Sequence, residues 1–293
     1  MAVWDYKPSA DVASIASRSG LSAVGTFYFY ASRPEINDRA TFNSRCQQLV
    51  EKTAVLGCYV NRQIYIFNIT DQRLDGIREV TAAHEMLHAA YERLGVQERT
   101  RVNAWLEKQT QNISDPKLQE RMALYDKTEP GERLNELHSI IGTEINTLTP
   151  ELERYYARYF SDRSRVVELA AKYETVFRQI EDRQTALIAE MDALASQIDS
   201  DASVYEQNLT TLQTDIDDFN RRAASGNFSS EAVFAVERRQ LLARQTTLQA
   251  KRLAINAAID TYNQKKAELD SLNTTAEGLQ KSINSKLPEA PTL

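Results

Sequence analysis

A chain of 293 residues has room for one large domain or two small ones, and its 9 glycines, 7 prolines and 8% aromatic residues favour long helices. A formal net charge of −6 argues against a nucleic-acid binder that works through a broad basic surface. No run of eighteen apolar residues is present to span a membrane.

In chain order, Ser9 to Ser19 reads as a short helix capped by Ser9 and stopped at Gly20. Thr26 to Tyr30 is rich in aromatics and reads as a strand ended by Arg33-Pro34. A helix from about Asp38 to Lys52 follows, with Asp38 as its cap. The apolar runs Ala54 to Val60 and Gln63 to Ile69, joined by Asn61-Arg62, read as a hairpin. The next helix should start near Leu74-Asp75-Gly76 and end at Leu94-Gly95, with Gly95 in the left-handed C-terminal conformation. Helices at about Gln97 to Gln111 and Pro116 to Tyr125 come next, with Trp105 and Leu106 on their buried face, and the Glu129-Pro130-Gly131 turn precedes a helical run from Arg133 to Gly142.

The helix after Gly76 carries His84-Glu85-Met86-Leu87-His88 in an alanine-rich run. Residues four apart share a helix face, so His84 and His88 would offer two imidazoles to one tetrahedral zinc ion. Glu85 falls on the neighbouring flank, where its carboxylate could take a proton from a zinc-activated water. Two of the chain's three histidines lie in this pentad. The bland alternative is a solvated helix that happens to carry them.

A two-histidine site needs a third protein ligand. The stretch Leu134-Asn135-Glu136, together with Val80, Ala83, the pentad and Ala89, resembles the gluzincins, that is, the thermolysin-like proteases and zinc aminopeptidases. Their third ligand is a helical Glu preceded by Asn after a branched apolar residue. The resemblance therefore implies Glu136 as the third ligand, Zn2+ as the cofactor and a zincin-like fold in which the active-site helix packs under a small sheet. It also likens Gln63 to Ile69 to the edge strand that binds peptide by strand addition. Two departures stand: 48 positions separate His88 from Glu136, more than is usual in those families, and Ile140 occupies the place of the Asp that orients a histidine.

Other residues compete for these roles. Glu132 shares a face with Glu136 and could be a ligand or an outer partner, and Glu144 lies about 80° around the helix as the main alternative ligand. His138 falls nearly opposite Glu136; it could donate a hydrogen bond to a transition state or be a buried structural histidine. The cluster Tyr155-Tyr156-Tyr159-Phe160 reads first as packing, with Tyr155 also able to donate to a tetrahedral oxyanion, as the gluzincin resemblance permits. Cys46 and Cys58, twelve apart, could close a disulfide that suits an exported protein.

From Glu151 to about Arg222 neither proline nor glycine occurs, and apolar residues recur by sevens in two series, Tyr173-Ile180-Leu187-Leu194 and Met191-Ile198-Tyr205-Leu212-Phe219, with a phase slip between them. A turn at 223–230 leads to a cleaner return run, Phe234, Leu241, Leu248, Ile255, Tyr262 and Leu269. Linked heptad runs predict an antiparallel coiled-coil hairpin whose returning helix is about 80 Å long at 1.5 Å per residue. Pairing with other chains is the alternative.

These readings give an α+β protein: a small zincin-like metallopeptidase domain over residues 1–150, a coiled-coil hairpin over 151–285 and a flexible tail over 286–293. The expected function is a zinc-dependent peptidase acting on peptide or protein substrates, with the hairpin positioning substrate or a protein partner and no nucleic acid involved. The alternative is a coiled-coil scaffold or adaptor with a structural or vestigial zinc site. The cysteine pair and the direct polar opening at Met1 to Tyr6 lean to a bacterial, extracytoplasmic setting reached through a segment outside this sequence, with the cytoplasm as the alternative.

Overall fold

The computed structural model describes residues 5–46, 56–113, 116–128 and 131–286. They fall into two units, Met1–Arg178 with Glu277–Leu293, and Gln179–Ala276.

In the first unit, Ser9 starts α1 (Ala10–Arg18) by accepting from the Val12 amide, and the helix buries Val12, Ile15 and Ala16. The aromatic run expected as a strand is instead α2 (Ala23–Ala31). Ser22 caps it by accepting from the Gly25 amide, while its own amide donates to the Tyr159 carbonyl over 2.8 Å. Gly25 approaches that carbonyl so closely that a Cβ would lie 2.0 Å from the oxygen. Phe29 is fully buried and Phe27 is 53% exposed, so the aromatics are sorted by a helical face. Strand preference of aromatic residues depends on context, and here the cap and a tertiary contact override it.

The sheet has three strands: β1 (Glu35–Asn37), β2 (Gly57–Val60) and β3 (Gln63–Phe67), in the order β1-β3-β2. Between β1 and β2 runs α3 (Arg39–Arg45), capped by Asp38 and ended at Cys46; the rest of the helix expected to Lys52 lies outside the described residues. Strands β2 and β3 pair antiparallel around Asn61 and Arg62, whose φ of 53° and 65° are those of a type I′ turn. Strand β1, not anticipated from the sequence, pairs parallel with β3. Consequently β3 is the central strand and cannot receive a peptide by strand addition; β2 is the outer strand nearer the histidine helix.

That helix, α4 (Ile77–Glu92), is buried over nearly its whole circumference, including Val80, Ala83, Met86, Leu87 and Ala90. Gly76 precedes it with φ 104°. Its C-terminus does not end on a left-handed Gly95, which is extended and opens α5 (Val96–Thr110). Instead Arg99 Nη2 donates to the carbonyls of Tyr91 and Glu92 over 3.1 and 3.0 Å, satisfying acceptors that a helix end leaves over.

After α6 (Pro116–Thr128), α7 (Arg133–Glu144) packs along α4 with Leu137, Ile140 and Ile141 buried. Short α8 (Pro150–Tyr156) follows, and the proline- and glycine-free stretch is broken before α9 (Ser164–Ala224). The break is set by tertiary bonds: the Gly20 carbonyl accepts from the Ser161 and Asp162 amides, and the Arg163 guanidinium donates to the carbonyls of Ile145 and Asn146. Tyr155, Tyr156, Tyr159 and Phe160 are all buried in this region. The start of α9 and the end of α10 (Glu231–Ile283) complete the unit: Lys172 Nζ lies 2.8 Å from Asp75, and Ser282 Oγ donates to Asp71.

The second unit is the hairpin. Its α9 and α10 segments run antiparallel, joined at a turn where Gly226 has φ 67° and the rings of Phe219, Phe228 and Phe234 stack. Leu187, Leu212, Phe219 and Ile255 form its buried seam. Ion pairs rung the two helices together: Arg183–Glu268, Glu190–Lys265, Asp201–Lys251, Asp215–Arg244 and Arg222–Glu237. All are exposed to solvent, which screens them, so the rungs set register more than stability. Residues 287–293, the expected tail, lie outside the described residues.

Candidate metal centre

Alanines at 82, 83, 89 and 90 let α7 and the sheet come close to α4, and its two histidines face α7. His84 Nε2 lies 3.5 Å from Glu136 Oε2, and His88 Nε2 lies 3.3 Å from Glu136 Oε1. The three ligand atoms fall within 4.8 Å of one another. Two donors each about 2.0–2.1 Å from a tetrahedral ion stand about 3.3 Å apart, so the spacing fits zinc. Two imidazole nitrogens and one carboxylate form the donor set of hydrolytic zinc sites, whereas calcium and magnesium favour all-oxygen shells. Glu136 and His88 are 7% and 8% exposed, so the donor group is largely withdrawn from water.

The outer partners are as informative. His88 Nδ1 lies 2.9 Å from Asn135 Oδ1, and Asn135 Nδ2 donates to Glu132 Oε2 over 3.0 Å. Because Glu132 takes the amide's NH2, the oxygen faces the ring and accepts from Nδ1, so Nε2 is the ring nitrogen turned to Glu136 and the one that would bind a metal. Glu132 thus stands behind Asn135, outside the group of His84, His88 and Glu136 that could hold a metal. Glu144 is bound to Arg121 and stands apart from the donor group. Ile140, where the gluzincin resemblance would expect an orienting Asp, is 1% exposed and packs in the core.

His138 and Tyr155 are both buried and in contact with each other. His138 is fully buried, its Nε2 lies 2.8 Å from the Tyr155 hydroxyl, and its ring packs against Tyr91, Tyr155 and Tyr156. Burial, reinforced by His88 and His84, lowers its pKa to about 3, so the ring is neutral. Burial likewise pushes the Tyr155 phenol far above its ordinary range. The pair is a buried polar contact on the side of α7 opposite Glu136.

Glu85 is 6% exposed and lies against the outer strand, with Oε1 beside Gly57. Cys46 and Cys58 form a disulfide that ties the end of α3 to β2, one residue from Gly57. The sequence reading missed both the Asn135–Glu132 pair behind His88 and the approach of Gly57 to Glu85. The first carried a signal, an Asn immediately before Glu136; the second depends on a strand packing across a helix and carried none. Comparison with protein-family models, with curated proteins and with solved structures returned no match.

Proposed function

We propose that this protein is a zinc-dependent peptidase of gluzincin type, with His84, His88 and Glu136 as ligands in a zincin-like first unit. The observation that carries the reading is the convergence of two imidazoles from α4 and one carboxylate from α7, their ligand atoms within 4.8 Å of one another, with a second carboxylate, Glu85, on the flank of the same helix. Zinc in that set would supply a Lewis acid for the scissile carbonyl and lower the pKa of water. Glu85 takes a proton from the attacking water and passes it to the leaving amine, so that water adds across the amide bond to give a carboxylate and an amine. Asn135 and Glu132 hold His88 in the tautomer that binds metal. The outer strand β2 runs beside Glu85 and takes the role first given to β3, that of aligning an extended peptide.

The test is zinc content and peptide cleavage in wild type, Glu136→Ala and Glu85→Gln. Wild type should hold about one zinc per chain and hydrolyse peptides; Glu136→Ala should lose zinc, and Glu85→Gln should keep it while losing hydrolysis. Full hydrolysis by Glu85→Gln would sink the mechanism. The second reading, a scaffold with a structural zinc site, is favoured by the hairpin: helices of 61 and 53 residues exceed what a hydrolytic centre needs. Under that reading wild type binds zinc and cleaves nothing.

A further inference from the structure

We infer that Gly57 is a positioning residue: its missing side chain is the space in which the Glu85 carboxylate is held. The inference rests on the peptidase reading, in which Glu85 is the base. Gly57 is buried in β2, opposite Ile66 in the ladder, and Thr81 and Glu85, four apart on α4, face it. A Cβ at this position would stand 2.5 Å from Thr81 Cγ2, 2.7 Å from Glu85 Oε1 and 2.9 Å from Glu85 Cγ. All three lie under 3.0 Å, closer than a Cβ comes to a heavy atom in a folded protein.

Glycine is not needed here for its backbone freedom. The positive-φ glycines of the described residues are Gly20, Gly76 and Gly226, and Gly57 is not among them. What demands it is close approach, and most of the surroundings cannot give way. The strand is fixed by its pairing to β3, by the Phe67 amide donating to the Leu56 carbonyl over 2.8 Å, and by the disulfide at Cys58. Thr81 is fixed because its hydroxyl donates to the Ile77 carbonyl over 2.7 Å, which aims its methyl at the strand. Of the groups a Cβ would meet, the one that shifts most cheaply is the Glu85 carboxylate, because it is the far end of a flexible side chain. A side chain at position 57 would therefore turn the carboxylate away without touching His84, His88 or Glu136.

The two contacts can be separated experimentally. Thr81→Ser removes the methyl and keeps the hydroxyl, so Gly57→Ala/Thr81→Ser retains only the clash with Glu85, with Thr81→Ser as its control. Full-length proteins loaded with zinc are assayed on a peptide library by mass spectrometry, then on the best-cleaved member for kcat and KM; cobalt-substituted forms report the ligand set by visible absorption. The double variant should keep wild-type zinc content and cobalt spectrum and lose about 100-fold in kcat, the scale of a 1 Å misplacement of a reacting group, with KM changed by less than about threefold. A double variant with kcat within about twofold of wild type overturns the inference, as does a cobalt spectrum that changes with it, which would mean that Gly57 acts on the ligands. Zinc-loaded wild type that cleaves no library member overturns the peptidase reading and the inference with it, whereas active wild type beside an active double variant overturns the inference alone.

Discussion

Replacing Asn135 by Ala should weaken zinc binding without removing any ligand. In the native arrangement the Asn135 amide is polarised between two partners, Glu132 Oε2 at 3.0 Å from its nitrogen and His88 Nδ1 at 2.9 Å from its oxygen. That geometry directs His88 Nε2 at Glu136 Oε1, 3.3 Å away. In the alanine variant His88 can place its proton on either nitrogen, and its ring loses a hydrogen bond worth about 0.5–1.5 kcal/mol. Adding the lost orientation brings the effect to the 10–100-fold in metal affinity typical of outer-shell partners, about 1.4–2.7 kcal/mol. Asn135→Asp keeps an acceptor on the ring and should bind more tightly than Asn135→Ala. Glu132→Ala, one bond further out and exposed, should cost less than Asn135→Ala. The assay is competition of the metal-free protein with a chromophoric chelator for zinc at fixed pH. Unchanged affinity in Asn135→Ala would refute the argument that this amide sets the tautomer of His88.

Two further perturbations test the scaffold around the site. Gly142→Ala in α7 should destabilise the first unit, because the new methyl would lie 2.5 Å from Leu87 Cδ1 and 2.7 Å from Tyr156 Cε1, both fully buried. The helix-propensity gain of about 1 kcal/mol is outweighed by overpacking of about 1–3 kcal/mol; a higher urea midpoint for the variant would contradict this. Replacing both Cys46 and Cys58 by Ser opens a crosslink between residues 12 apart, and chain entropy puts the loss at about 3 kcal/mol. An unchanged urea midpoint would show that the crosslink constrains little.

The sequence determined what depends on local periodicity. The four-residue step from His84 to His88 placed both imidazoles on one helix face, the sevenfold spacing of apolar residues after Phe234 gave the returning helix, and Asn61-Arg62 between two apolar runs gave the hairpin turn. Ser9 and Asp38 could be recognised as caps because the bond each makes spans three residues. Tertiary structure decided whatever depends on groups distant in sequence. Thr26 to Tyr30 became a helix because Ser22 and Gly25 meet the backbone at Tyr159, and the helical stretch after Pro150 breaks because Gly20 and Arg163 bind its connecting segment. β1 pairing with β3 made β3 central and left β2 as the strand beside Glu85. Among Glu132, Glu136 and Glu144 the helical angle alone left the ligand open; packing of α7 on α4 turned Glu136 to the histidines, Glu132 to Asn135 and Glu144 to Arg121. A side chain's face can be read from its period, but its partner is fixed only when two elements, each stable through burial, choose their register against one another.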